Sequence, residues 1–208
     1  MTQLDIYLDL GNIAGMAAIS GTLKLIEETG VTAVWQPIEG NVPRPLSRVP
    51  NLDNEDPIRE FKQKRLTAKR QFEMAELERD CARLELDVEL ASRTFDARLT
   101  HLACLAILEQ VESPLIFMQQ VYESRFREGD ALEDESSVAD MLETFRIQKF
   151  VSCLPQLRYQ WEQHQSSYLE LGIHDTPSYV LEGETFQGRQ HLPLLRWRLE
   201  GEVGPPPL

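Results

Sequence analysis

Cysteine is scarce and scattered in this chain. Cys81, Cys104 and Cys153 are the only three among 208 residues, and no two form a Cys-x-x-Cys pair. An odd, dispersed set excludes a structural disulfide framework. Cys104 in "LTHLACLAIL" and Cys81 in the stripe Leu77, Cys81, Leu84, Val88 read as small apolar residues on buried helix faces, and all three cysteines are expected to be buried. The four histidines, His101, His164, His174 and His191, share no ligand spacing with one another or with a cysteine, so no metal site is expected. Long apolar runs are missing too. No window approaches the roughly 18 residues of a membrane span. Met1-Thr2-Gln3 runs straight into "LDIYLDL" without the basic, apolar and small-residue regions of an export signal, which makes a cytoplasmic location the expectation. Positive charge is in deficit, with 21 Lys and Arg against 34 Asp and Glu and a net charge of -13. A nucleic-acid backbone is therefore an unfavourable partner.

The apolar residues that are there fall into clear periods. Leu4, Ile6, Leu8 and Leu10 alternate with Asp5, Tyr7 and Asp9, which predicts a strand over 4–10. Asn12 is the natural N-cap of a helix whose apolar residues Ile13, Met16, Ala17, Ile19, Leu23 and Ile26 recur until Gly30. "VTAVWQPIE" follows as a second strand and closes a β-α-β unit with parallel strands. Residues 42–56, rich in Pro, Asn and Asp, read as a loop. A long helix begins near Pro57 with two apolar stripes in succession, Ile58, Phe61, Ala68, Phe72, Ala75 and then Leu77, Cys81, Leu84, Val88. Its cations Arg59, Lys62, Lys64, Arg65, Lys69 and Arg70 form a solvated face by expectation, and the alternative is a surface that attracts an anionic ligand.

Further helices are predicted in "FDARLTHLACLAILEQ", "PLIFMQQVYESRFREG", "SSVADMLETF" and residues 148–171. "GIHDTPSYVLEGETFQG" then reads as a hairpin: Tyr179 to Leu181, a tight turn at Glu182-Gly183, and a return through Thr185-Phe186. Pro177 lacks an N–H for a ladder and belongs at the first residue of that hairpin. "RQHLPLLRWRLEG" is a last helix, and 203–208 a disordered tail. The order β-α-β, helices, β-β-α describes an α/β thioredoxin-like core, residues 1–41 and 172–202, with a large helical insertion at 42–171.

On these residues the chain resembles the DsbA-like thioredoxin-fold family, which includes DsbA-type oxidoreductases, 2-hydroxychromene-2-carboxylate isomerases and kappa-class glutathione transferases. "LDIYLDLGNIAGMAA" is similar to the family's first strand and active-site helix, "VWQPIEGN" to its second strand, and "SRTFDARLTHLA" with "FMQQVYESRFREGDALEDESSVADML" to its helical insertion. "GIHDTPSYVLEGETFQG" is similar to its cis-proline hairpin. The resemblance implies a cis Thr176-Pro177 bond, with Thr176 offering its backbone N–H and C=O to a ligand lying against the first helix N-terminus.

The departure from the family is chemical. Where its oxidoreductases carry Cys-x-x-Cys, this chain has Asn12, Ile13, Ala14 and Gly15. Dithiol exchange needs an attacking thiolate and a resolving thiol, and neither is present there. What the resemblance leaves is a helix N-terminus at Gly11, Asn12, Ile13 and Gly15 that could hold the sulfur of glutathione, with Asn12 as donor in the one catalytic position. Gln190 stands where glutathione-using relatives place an acid for the γ-glutamyl amine. The expectation is thus a thiol-free protein of this lineage with at most a glutathione-linked transferase or isomerase activity. The alternative is a non-catalytic binding or scaffold protein. The partners implied are a small thiol or peptide, with a homodimer left open and neither nucleic acid nor membrane.

Overall fold

The computed structural model describes residues 2–40, 57–111 and 113–207, and only the backbone of 57–60; the loop expected over 42–56 lies outside them. The elements run β1 (Gln3–Leu8), α1 (Ile13–Thr29), β2 (Thr32–Pro37), α2 (Pro57–Leu84), α3 (Val88–Ala91), α4 (Arg98–Leu108), α5 (Leu115–Glu123), α6 (Glu135–Glu143), α7 (Phe150–Glu170), β3 (Ser178–Leu181), β4 (Glu184–Gln187) and α8 (Leu192–Leu199). A π-helical turn, Ser124–Glu128, prolongs α5, and a 3-10 turn, Arg189–His191, leads into α8. The strands form one sheet in the order β2-β1-β3-β4, with β1 parallel to β2 and antiparallel to β3. This is the α/β arrangement that the periodicity predicts, and the element order matches segment by segment.

Alternation in β1 sets the layers. Leu4, Ile6 and Leu8 are wholly buried on one face, and Tyr7 packs on the other with Ile38, Tyr168, Ile173 and Val180. Each fully buried Leu or Ile side chain contributes about 1.5–3 kcal/mol relative to exposure. The first face joins one large core with residues of α1, α4, α5, α6 and α7, so the sheet and the helices between β2 and β3 bury their apolar surface together. Asn12 caps α1 with an extended backbone and its side chain accepting the Ala14 N–H, and Gly30 ends the helix at φ 66°. Glu182 and Gly183 both have positive φ, as a two-residue turn between right-twisted strands requires.

β1 is shorter than the alternation predicts, because Asp9 and Leu10 turn inward to bond other segments instead of extending the ladder. α2 departs more. Its second stripe is held, with Cys81 fully buried, Leu77 and Leu84 half-buried, and Arg83 donating to the Ala17 carbonyl of α1 at 2.7 Å. Val88 belongs to α3, after a break at Glu85 (φ 57°). Of the first stripe, the Ile58 side chain lies outside the described ones and Ala75 is half-buried, but Phe61 (67%), Ala68 and Phe72 (64%) are exposed, because this half of the helix runs past the core. Cys153 is half-buried, whereas Cys104, like Cys81, is buried. The chain beyond α8 turns back, with Trp197 Nε1–H donating to the Gly204 carbonyl at 3.1 Å.

Candidate functional site

The end of β1 and the start of α1 meet the loop before β3, and Asp9 is the residue that joins them. Its side chain is 1% exposed. One carboxylate oxygen accepts the Gly11 N–H at 2.8 Å and the other the Gly40 N–H at 3.0 Å. The Asp9 N–H donates to Thr176 Oγ1 at 3.0 Å, and the Asp9 carbonyl accepts the Tyr122 hydroxyl at 2.9 Å. Three segments distant in sequence, at Gly40, Tyr122 and Thr176, are thereby tied to one residue.

Leu10 is tied in the same way. Its N–H donates to His101 Nε2 at 3.1 Å, and its carbonyl accepts Arg125 Nη1 at 2.8 Å. The same Nε2 lies 3.3 Å from Asp9 Oδ1, and Nδ1 is buried without a partner among the described residues. The ring stacks on Trp161, centroids 4.9 Å apart. Arg125 is fully buried and also donates to the carbonyls of Ala131 (3.1 Å) and Asp96 (3.2 Å), with its guanidinium over the Phe95 ring. Burial pushes its pKa down to about 10, opposed first by Asp9, and the group stays charged at neutral pH. Burial and the neighbouring Asp9 push the Tyr122 phenol well up, so its hydroxyl keeps the proton it donates.

The expected site residues fall around this network. Gly11, Asn12, Ile13 and Gly15 lie at the junction, and Thr176 reaches it through Asp9. The Thr176-Pro177 peptide bond is cis. Gln190 is not drawn in: it is exposed and its amide donates to the Gln187 carbonyl at 2.8 Å. Apart from the Ile13 N–H, the donors that a bound anion would use at this end of α1 and at Thr176 are engaged by the chain itself. Asp9 takes the N–H groups of Gly11 (side chain) and Asn12 (carbonyl, 3.2 Å), the Asn12 side chain takes Ala14 at 2.9 Å, and the Asn12 carbonyl takes Gly15 at 3.1 Å. The Thr176 N–H is likewise taken by Asp175 Oδ1 at 2.8 Å. Burial raises the Asp175 carboxyl above its usual range, the Thr176 N–H opposes that, and Asp9 adds to it.

Gly15 marks the closest approach. A Cβ built there would stand 2.1 Å from the Tyr122 hydroxyl and 3.2 Å from the Asp9 carbonyl, so only glycine fits while Tyr122 is in place. A cavity of about 170 Å³ lies beyond the loop, lined by Ile38, Glu39, Gln165, Tyr168, Leu169, Ile173 and His174, and includes none of the junction residues. Among the described residues no group of His, Cys, Asp and Glu could hold a metal ion, and no helix is long and apolar enough to cross a membrane.

No family model matches the sequence, and no curated protein does. Solved structures do. A probable DsbA oxidoreductase from Streptomyces coelicolor superposes with a TM-score of 0.68 at 14% identity, over 100% of this chain and 94% of that one. The chain carries the DsbA-like thioredoxin fold. A 2-hydroxychromene-2-carboxylate isomerase gives 0.63 at 16% identity over 95% and 94% of the two chains. The cytosolic disulfide reductase DsbM from Pseudomonas aeruginosa gives 0.59 at 14% over 97% and 98%. The DsbA-like fold thus extends over the intervening helices as well as the sheet.

Asp9, His101, Tyr122 and Arg125 are the site residues that sequence reasoning missed. The signal was present for one of them. Arg125 shares a helical stripe with Phe117, Met118, Val121 and Tyr122, and a charge in such a stripe marks a buried, fully bonded group.

Proposed function

We propose that this chain is a binding or scaffold protein built on the DsbA-like thioredoxin fold, one that performs no dithiol exchange. The observation that carries the reading is the Tyr122 hydroxyl, which fills the space a side chain at position 15 would need. That is where the resemblance puts the resolving cysteine. The buried Asp9 carboxylate beside the α1 N-terminus also opposes a thiolate there, since like charges in a poorly solvated site repel. The reading keeps the protein in a reducing cytosol, where its free thiols need no partner.

A second reading, glutathione-linked transfer or isomerisation with Asn12 as donor, draws on a structure of DsbM with GSH, which superposes on this chain with a TM-score of 0.58. Titration calorimetry with reduced glutathione separates the two. The first reading expects no binding up to about 1 mM by the wild type or by Gln190→Glu, which would put an acid at the position the resemblance assigns to the γ-glutamyl contact. Tighter binding by Gln190→Glu supports the second, and sub-millimolar binding by the wild type overturns the first. A gain-of-function arm adds Asn12→Cys and Gly15→Cys with and without Tyr122→Phe. Insulin reduction is expected only with Tyr122→Phe.

A further inference from the structure

We propose that the bare face of α2 is a self-association surface on which a second copy of this chain docks with its own α2 running antiparallel. Phe61, Arg65, Ala68, Phe72, Ala75 and Arg79 are spaced alternately four and three residues apart, the period of a two-helix seam. That stripe faces away from the core, which takes the opposite side of the helix through Leu77, Cys81 and Leu84. Phe61 and Phe72 are about two-thirds exposed. From residue 61 to residue 79 the stripe is about 27 Å long at 1.5 Å per residue.

The charge pattern selects the occupant. The first half of the described helix carries Lys62, Lys64, Arg65, Lys69 and Arg70; the second carries Glu73, Glu76 and Glu78 with Arg79 and Arg83, while its Asp80 is buried against Arg189. A parallel copy would set like charge against like. An antiparallel copy related by a two-fold axis near residue 70 sets basic half against acidic half. In that register Lys62 faces the second copy's Glu76, Ala68 receives its Phe72, Arg65 lies over its Ala75, and Phe61 meets its Arg79. Small residues opposite large ones let the two helices approach closely. The net charge of -13 repels a second copy at long range, but that field is screened beyond about 8 Å at physiological ionic strength, whereas the seam pairs are in contact.

Sedimentation equilibrium over about 1–100 μM tests this, the range expected for a seam of this size. The wild type should dimerise with a micromolar constant. Phe61→Glu combined with Phe72→Glu should weaken association at least about 100-fold while leaving the thermal midpoint at low concentration unchanged, because both side chains are solvent-exposed in one copy. A wild type that stays monomeric throughout, or a dimer indifferent to the double change, overturns the proposal and leaves the face to another partner. Orientation is read by disulfide trapping in a Cys153→Ser background. Phe61→Cys mixed with Arg79→Cys should cross-link as a heterodimer, and self-linking of Phe61→Cys alone would indicate the parallel arrangement and overturn the antiparallel one.

Discussion

At the β1–α1 junction a charged residue, Arg125, lies inside an apolar stripe and is fully buried; along the first half of α2 two phenylalanines lie in an apolar stripe and stand in solvent. Both stripes have helical period. They differ in what the rest of the molecule brings to them. Arg125 meets three backbone carbonyls and the buried Asp9 nearby, so its desolvation is offset by a bond from each nitrogen of the guanidinium. Phe61 and Phe72 project beyond the point where α1 stops covering α2. Periodicity therefore tells which face is special, and only the tertiary partners tell whether that face is filled.

The largest test of this contrast pairs Arg125→Met with Phe72→Ala in urea unfolding. The first strands the carbonyls of Leu10, Asp96 and Ala131 and removes the cation near Asp9, and should cost about 3–5 kcal/mol. The second, at sub-micromolar protein, should stay within about 0.5 kcal/mol. Equal costs would erase the distinction between the two regions. A sharper test asks how tightly the junction is packed. Gly15→Ala should cost about 1–3 kcal/mol even though alanine is the better helix former, because its methyl meets the Tyr122 hydroxyl. In a Tyr122→Phe background that cost should fall by about 1 kcal/mol or more, and additive costs in the cycle would show that the two do not collide.

The smallest effect belongs to Asp175. Its folded carboxyl titrates above the unfolded value of about 3.9, so ionisation costs the folded state. That cost is absent below the unfolded pKa, grows as pH rises toward the folded one, and is complete at neutral pH. Asp175→Asn removes it and keeps an oxygen to accept from Thr176. Solvent reaches Asp175, so screening holds the gain to about a degree in midpoint at pH 7, vanishing near pH 3. A midpoint lowered at pH 7 would show that the carboxylate is needed there as a charge.

The fold was legible because its elements announce themselves locally. Leu4, Ile6 and Leu8 alternate, Asn12 and Gly30 bracket α1, and Glu182-Gly183 marks the hairpin. The positions of Gly11, Asn12 and Thr176 followed from the fold. What they do there did not, since Asp9 reads as the polar side of a strand and His101 as one residue in an apolar helix. Their partners come from 30 to 170 residues away, and a hydrogen bond between segments that distant leaves no period in either of them. The bare face of α2 was hidden for the complementary reason: a stripe looks the same whether its cover is in the same chain or absent from it.

The stacking of Trp161 on His101 has a practical side. Trp35 lies in β2 and Trp197 in α8, while Trp161 rests its indole on the imidazole that holds Leu10 in place. The junction thus carries a built-in fluorophore. A protein in which Trp35 and Trp197 are phenylalanine would have one emitter, and its spectrum and lifetime would follow the opening of residues 9–15 with no label attached.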